Sequence, residues 1–222
     1  INESQALIIT IININDNTPE ITSAASFSAN ENQTGVGIAM ATDADGDDIT
    51  YNLSGTDEAS ISINSTSGAI TFNSAPNYEV KNSYTVTAAA NDGLFSASQP
   101  INITILDVND YPVMTSAASF SAAENQTAVD TVTATDEDGH TLTYSLSGTD
   151  TSSLNIDNTS GVVTFVSEPD YETKMSYSVN VNINDGINIS TASITINITN
   201  VNEIHDLALS NESIDENDTG AV

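Results

Sequence analysis

The chain has 222 residues, with 31 acidic side chains against 2 Lys+Arg, a formal charge of −29, and no cysteine. Binding to a phosphate backbone or an anionic membrane surface rests on Lys and Arg, so both are excluded as partners. Without cysteine there is neither a disulfide nor a thiolate metal framework, which leaves cations, or a salty medium, as company for so acidic a surface.

The length suits one large domain or two of ordinary size, and the 38% of apolar residues alternate strictly with polar ones rather than marking disorder. The apolar run Ala6 to Ile12 reads as a strand ending in Asn13-Ile14-Asn15-Asp16-Asn17-Thr18-Pro19. Strands follow near residues 23–28, 36–42, 49–54, 60–64, 69–73, 83–90 and 98–106. Turn chemistry separates them at Ala44-Asp45-Gly46-Asp47, Ser65-Thr66-Ser67-Gly68 and Asn91-Asp92-Gly93. Ile61, Ile63, Ile70, Phe72, Tyr84, Val86, Ile101, Ile103 and Ile105 are expected to face the core.

The last strand runs into Asp107-Val108-Asn109-Asp110-Tyr111-Pro112, where proline stops the sheet. From there the pattern repeats at an offset of 93. Glu31-Asn32-Gln33-Thr34 returns at Glu124, Asp43-Ala44-Asp45-Gly46 at Asp136-Glu137-Asp138-Gly139, Tyr78-Glu79 at Tyr171-Glu172, and Asn91-Asp92-Gly93 at Asn184. The second copy supplies Leu154, Ile156, Val163, Phe165, Tyr177, Val179, Ile194, Ile196 and Ile198 as its core and ends in Asn200-Val201-Asn202-Glu203.

About seven strands per copy predicts an all-β protein of tandem immunoglobulin-like, Greek-key β-sandwiches joined end to end, with no helix. The expected division is 1–16, the last strand of a preceding repeat; 17–109 and 110–203, two repeats; and 204–222, the start of a following one. Left alone, Ala6 to Ile12 is a sticky edge, so the expectation is a longer natural chain, with tails pairing to neighbouring copies as the alternative.

In such a sandwich the loops after the second and sixth strands share one pole. Asp136, Asp138 and Asp185 are therefore predicted to meet there, with Glu31 and the 77–79 loop at the opposite pole of the first repeat and Asp107–Asp110 running between. Like charges so close are costly unless a cation binds. Calcium takes six to eight oxygens in loose geometry, whereas magnesium demands a strict octahedron. Zinc favours His or Cys, and the only histidines are His140 and His205, both read as exposed turn residues. Lys81 and Lys174, beside the two Tyr-Glu pairs, are expected to form local ion pairs or to pack their stems.

The phrase Asn15-Asp16-Asn17-Thr18-Pro19, the Asp-x-Asp at 43/45 and 136/138, and the Tyr-Glu ending at 79 and 172 resemble cadherin repeats, more narrowly the cadherin-like tandem repeats of very large bacterial surface proteins. The resemblance covers essentially the whole chain and implies calcium-rigidified junctions. Carried over by position, Glu31, Glu79, Asp107, Asn109, Asp110, Asp136, Asp138 and Asp185 are ligands of the middle junction. Asn13, Asn15, Asp16, Asn17, Asp43, Asp45 and Asp92 serve the first, and Glu124, Asp170, Glu172, Asn200, Asn202 and Glu203 the last. The middle linker is one residue shorter than the family's, with Tyr111 where a second Asn is usual. Asn13 and Asn200 replace the first linker Asp, Glu203 replaces Asp without the following proline, and Asn77 stands where the second repeat has Asp170.

The implied function is a spacer in a long extracellular, cell-surface adhesin or filament. Its partners are calcium ions, neighbouring repeats of the same chain, or other copies. A surface-polysaccharide-binding module is the alternative, and catalysis is not expected: the acids are duplicated, there is no Cys nucleophile, and neither His repeats.

Overall fold

A computed structural model describes residues 9–202, and the chain divides between Asp110 and Tyr111 into two units. The first contains β1 (Glu20–Ile21), β2 (Ser26–Asn30), β3 (Gly35–Ile38), β4 (Ala41–Thr42), β5 (Thr50–Ser54), β6 (Ile61–Ile63), β7 (Ala69–Phe72), β8 (Ser83–Asn91) and β9 (Ser96–Leu106). The second repeats the series as β10 (Val113–Met114), β11 (Ser119–Ala123), β12 (Ala128–Thr131), β13 (Ala134–Thr135), β14 (Thr143–Ser147), β15 (Leu154–Ile156), β16 (Val162–Phe165), β17 (Ser176–Asn184) and β18 (Ile189–Thr199). Among the described residues the helical segments are two single 3-10 turns, Glu58–Ser60 and Thr151–Ser153.

Two sheets face each other in the first unit, one ordered β2-β9-β8-β5 and the other β3-β7-β6. The period-two apolar pattern of the long β8–β9 hairpin explains its burial: Val86, Ile101, Ile103 and Ile105 are buried, as are Ile61, Ile70 and Phe72 from the opposite sheet. Each such side chain contributes on the order of 1.5–3 kcal/mol on leaving water. The second unit stacks β11-β18-β17-β14 on β12-β16-β15 over Leu154, Val163, Phe165, Val179, Ile194, Ile196 and Ile198. Ile63, Tyr84, Ile156 and Tyr177 are half-buried at the rim of these cores. Each tyrosine packs edge-on against its phenylalanine, with ring centroids 4.9 Å apart for Phe72–Tyr84 and 5.0 Å for Phe165–Tyr177.

The strand expected at 36–42 is two pieces, β3 and β4, and the one expected at 23–28 is β2, preceded by a short β1 that the alternation does not predict. β1 pairs with β4, whereas β2 joins β9 and β3 joins β7, so the chain changes sheet between the pieces. Of the strand expected over 1–16, residues 1–8 lie outside the described residues and 9–16 carry no strand; the segment 204–222 also lies outside them.

Register then decides what reaches each end. β2 runs parallel to β9, pairing Ser26 with Asn102 and Asn30 with Leu106, so Glu31 emerges beside Asp107. The β8–β9 turn, with Asp92, lies at the other end of β9, whose 11 residues span about 35 Å. Parallel pairing of β11 with β18 likewise sets Glu124 next to Asn200.

Candidate metal centre

Each unit carries acids at both poles. At the first pole of the first unit, the Asp43–Asp47 loop closes on itself: Asp43 Oδ1 accepts the Asp45 N–H at 2.8 Å and the Asp47 N–H at 3.3 Å. The incoming segment docks on this loop. Asp45 Oδ2 accepts the N–H groups of Asp16 (2.9 Å) and Asn17 (2.8 Å), and Asn13 Nδ2 donates to the Asp45 carbonyl at 2.7 Å. Asn15 Nδ2 donates to the Asp92 carbonyl at 3.4 Å, which brings the β8–β9 turn to the same place.

Electrostatics mark the crowding. The Asn17 N–H, then the Asp16 N–H and the Asn17 amide, hold the Asp45 carboxyl below its usual range. Burial drives Asp92 upward, but the N–H groups of Phe95 and Leu94 and the Asn15 amide outweigh it and leave the group lowered. Asp47 goes the other way, pushed up by burial and by the charges of Asp43, Asp45, Asp92 and Asp48. Four buried oxygens here, Asn15 Oδ1, Asp43 Oδ2, Asp47 Oδ2 and Asp92 Oδ2, have no hydrogen-bond partner.

At the opposite pole Glu31, only 2% exposed, accepts the Tyr78 N–H through Oε2 and the Val108 N–H through Oε1, both at 2.8 Å. Glu31, Glu79 and Asp107 each place an oxygen within 4.8 Å of the others. Asn32 Nδ2 reaches Asp110 Oδ1 at 3.1 Å and Asn109 Nδ2 reaches the Asp110 carbonyl at 2.8 Å, ordering the segment after β9.

The second unit repeats the plan with exchanges. Glu124, also 2% exposed, accepts the N–H groups of Tyr171 (2.8 Å) and Val201 (2.7 Å). Its cluster is Glu124, Asp170 and Glu172, while Asn200, in the place of Asp107, donates to Glu172 Oε1 at 2.7 Å. A carboxylate has moved from the linker to the loop, since Asp170 stands where the first unit has Asn77, and three acids remain at the pole. Asn202 is exposed in the coil after β18, and Glu203 lies outside the described residues.

Asp136 and Asp138 sit together, with His140 as the third member of the group. Asp185 is 6% exposed, and its Oδ1 accepts the N–H groups of Ile187 and Asn188, each at 2.6 Å. Thr143 Oγ1, donating to the Asn184 carbonyl at 3.2 Å, ties the two loops of this pole.

Two site residues escaped the sequence reading. Asp47 belongs to the carboxylate group of the first loop, and His140, read as an exposed turn residue, has its imidazole against Asp136. They occupy equivalent positions, so the change from Asp to His hid both from a search for repeated acids. The lysines bind as expected: Lys81 pairs with Asp57 and Lys174 with Asp150 (2.5 Å), each ammonium 4.5 Å from the centroid of Tyr84 or Tyr177.

Each unit is thus a two-sheet sandwich that carries acidic groups at both poles. Residues 118–199 match the family model described as Cadherin domain. Human Protocadherin Fat 1 is 28% identical over 221 residues, covering 89% of this chain and 5% of that protein. Chitinase A of Pseudoalteromonas piscicida is 33% identical over 109 residues, 48% of this chain and 13% of that one. Among solved structures, mouse Cadherin-23 EC22-24 matches with a TM-score of 0.51 and 29% identity, covering 86% of this chain and 67% of that one. The second unit, which holds the matched residues, is a cadherin-like repeat, and the first unit repeats its strand order. The chain spans a small fraction of the length of the curated relatives it matches.

Proposed function

We propose that the repeats are a calcium-stiffened spacer of a long cell-surface adhesion protein, with calcium held where one repeat follows another. One observation carries the reading: four buried oxygens of Asn15, Asp43, Asp47 and Asp92 lack any hydrogen-bond partner at a pole where burial and neighbouring charge already push Asp47 up. Buried oxygens without a donor are costly, and a divalent cation removes the cost. The donor set of carboxylate and amide oxygens fits calcium. Glu31, Glu79, Asp107, Asn109 and Asp110 are its ligands after the first repeat, together with Asp136, Asp138 and Asp185 at the start of the second. Asn13, Asn15, Asp16, Asn17, Asp43, Asp45, Asp47 and Asp92 serve the start of the first repeat. Glu124, Asp170, Glu172, Asn200, Asn202 and Glu203 serve the end of the second.

When bound, calcium supplies positive charge to groups that otherwise repel. The chain's own part is to present the oxygens: β9 and β18 deliver the linkers, and Glu31 and Glu124 fix them by backbone N–H groups. Extracellular modules bind calcium with affinities of about 10⁻⁴–10⁻³ M, so the outside ion level sets stiffness. The test is a Ca²⁺ titration followed by thermal unfolding and small-angle scattering. A rising melting temperature with extension, reversed by chelator, supports the reading; indifference of both to Ca²⁺ refutes it.

A second reading, binding of a surface polysaccharide, draws on the likeness to Chitinase A. Sugar platforms use exposed aromatic faces, and the exposed aromatics among the described residues are Phe95 and Tyr111. Retention on insoluble chitin, lost in Phe95→Ala or Tyr111→Ala, would favour it.

A further inference from the structure

We propose that Asp136, Asp138 and His140 form a site for a borderline divalent metal, with Zn²⁺ as its natural representative, which the equivalent loop of the first unit does not offer. That first loop holds Asp43, Asp45 and Asp47, three oxygen donors. The second replaces the third carboxylate with an imidazole, and an imidazole nitrogen favours zinc, copper or nickel over calcium and magnesium.

Distances agree with this. His140 Nδ1 lies 3.3 Å from Asp136 Oδ1 and 3.9 Å from Asp138 Oδ2, and one ligand atom from each of the three residues lies within 4.8 Å of the others. Donors bound about 2.0–2.1 Å from a tetrahedral zinc stand roughly 3.3 Å from each other, the separation that His140 and Asp136 already have, and the other donors would draw in around the ion. A second observation is independent of the cluster's composition. The Asp136 side chain is 1% exposed, and its buried Oδ2 has no hydrogen-bond partner. A desolvated carboxylate oxygen of this kind is a ligand awaiting a cation. His140, with 40% of its side chain exposed, leaves the group open to solvent for a metal to enter.

The inference stands without the calcium reading, although the two metals share Asp136 and Asp138. The test titrates the chelator-treated 222-residue chain with ZnCl₂ and separately with CaCl₂, by calorimetry, in wild type, His140→Asn and His205→Asn. Imidazole ¹⁵N shifts identify the bound nitrogen. The expected result is one Zn²⁺ site in wild type and His205→Asn, perturbation of His140 Nδ1, and affinity weakened about tenfold or more in His140→Asn, a cost of the size seen when metal-site partners are removed. His140 is a surface side chain, so the variant is expected to melt as wild type does. Zn²⁺ binding unaffected by His140→Asn, or no Zn²⁺ binding in wild type, overturns the proposal. Failure of Ca²⁺ to bind, with Zn²⁺ still held at His140, sinks the calcium reading alone.

Discussion

Glu31 Oε1 accepts the backbone N–H of Val108 at 2.8 Å across 77 residues of sequence, fixing the chain where it leaves β9. The other oxygen binds the Tyr78 N–H, so both halves of one buried carboxylate are spent on backbone donors. Glutamine has a single acceptor oxygen, and Glu31→Gln leaves one of these N–H groups facing the amide NH2, donor against donor. Urea unfolding in chelator is expected to show a loss of about 1.5–3 kcal/mol. Glu79→Gln, at an exposed position of the same cluster, is expected to stay within about 0.5 kcal/mol. Equal losses would mean that Glu31 acts as a charge in the cluster rather than as a backbone clamp.

Asp47 gives a prediction that changes sign. Burial and four neighbouring carboxylates raise its proton affinity in the folded state, so its ionisation at neutral pH costs stability. Asp47→Asn removes that cost. Thermal unfolding in EDTA is expected to place the variant above wild type, and unfolding in millimolar Ca²⁺ to place it below, because a ligand has been lost. Curves that fail to cross would leave Asp47 a solvated surface acid.

Much of this architecture is legible in the sequence. The 93-residue offset and the alternation at Ile101, Ile103 and Ile105 suffice for two sandwiches with those side chains buried. Less visible is the split of strand 36–42, because which sheet a segment joins depends on partners elsewhere in the chain: β3 finds β7 and β4 finds β1. Burial of Glu31 and Glu124 was hidden for a related reason. An acid reads as surface until its backbone donors, 47 and 77 residues away, are known. His140 was lost because repetition was the signal, and the residue breaks the repeat.

The lysine pairs predict an acid limit. Hydrogen bonding to Lys81, then the Thr85 N–H, holds Asp57 below its ordinary value; Lys174 and the Ser178 N–H do the same to Asp150. A carboxyl lowered in the folded state contributes stability that is complete above its unfolded value of about 3.9 and is lost as pH falls through the folded one. Denaturant midpoints in chelator are therefore expected to separate wild type from Asp57→Asn plus Asp150→Asn at pH 5–7 and to converge below about pH 4. A gap that does not narrow as pH falls below about 4 would assign the effect to packing instead.

Gly68 tests whether each sandwich stands on its own core. It adopts φ +69°, and a Cβ there would sit 2.1 Å from the Ala39 carbonyl oxygen. Its own carbonyl accepts the Ala39 N–H at 2.9 Å, so neither backbone can retreat without losing that bond. Gly46 shares the left-handed conformation at φ +79° but faces open space. Gly46→Ala is expected to cost about 1–2 kcal/mol from backbone strain, and Gly68→Ala roughly 2–5 kcal/mol because overpacking adds to it. A domain of about 100 residues holds on the order of 5–15 kcal/mol, so the second change removes a large share of the first unit's stability. Gly161, at φ +73° with a Cβ contact of 2.2 Å to the Val132 carbonyl oxygen, is its counterpart in the second unit. Calorimetry in chelator should then resolve two transitions in each variant, with Gly68→Ala lowering only one and Gly161→Ala only the other. A single transition that shifts as a whole would show that the two cores melt together.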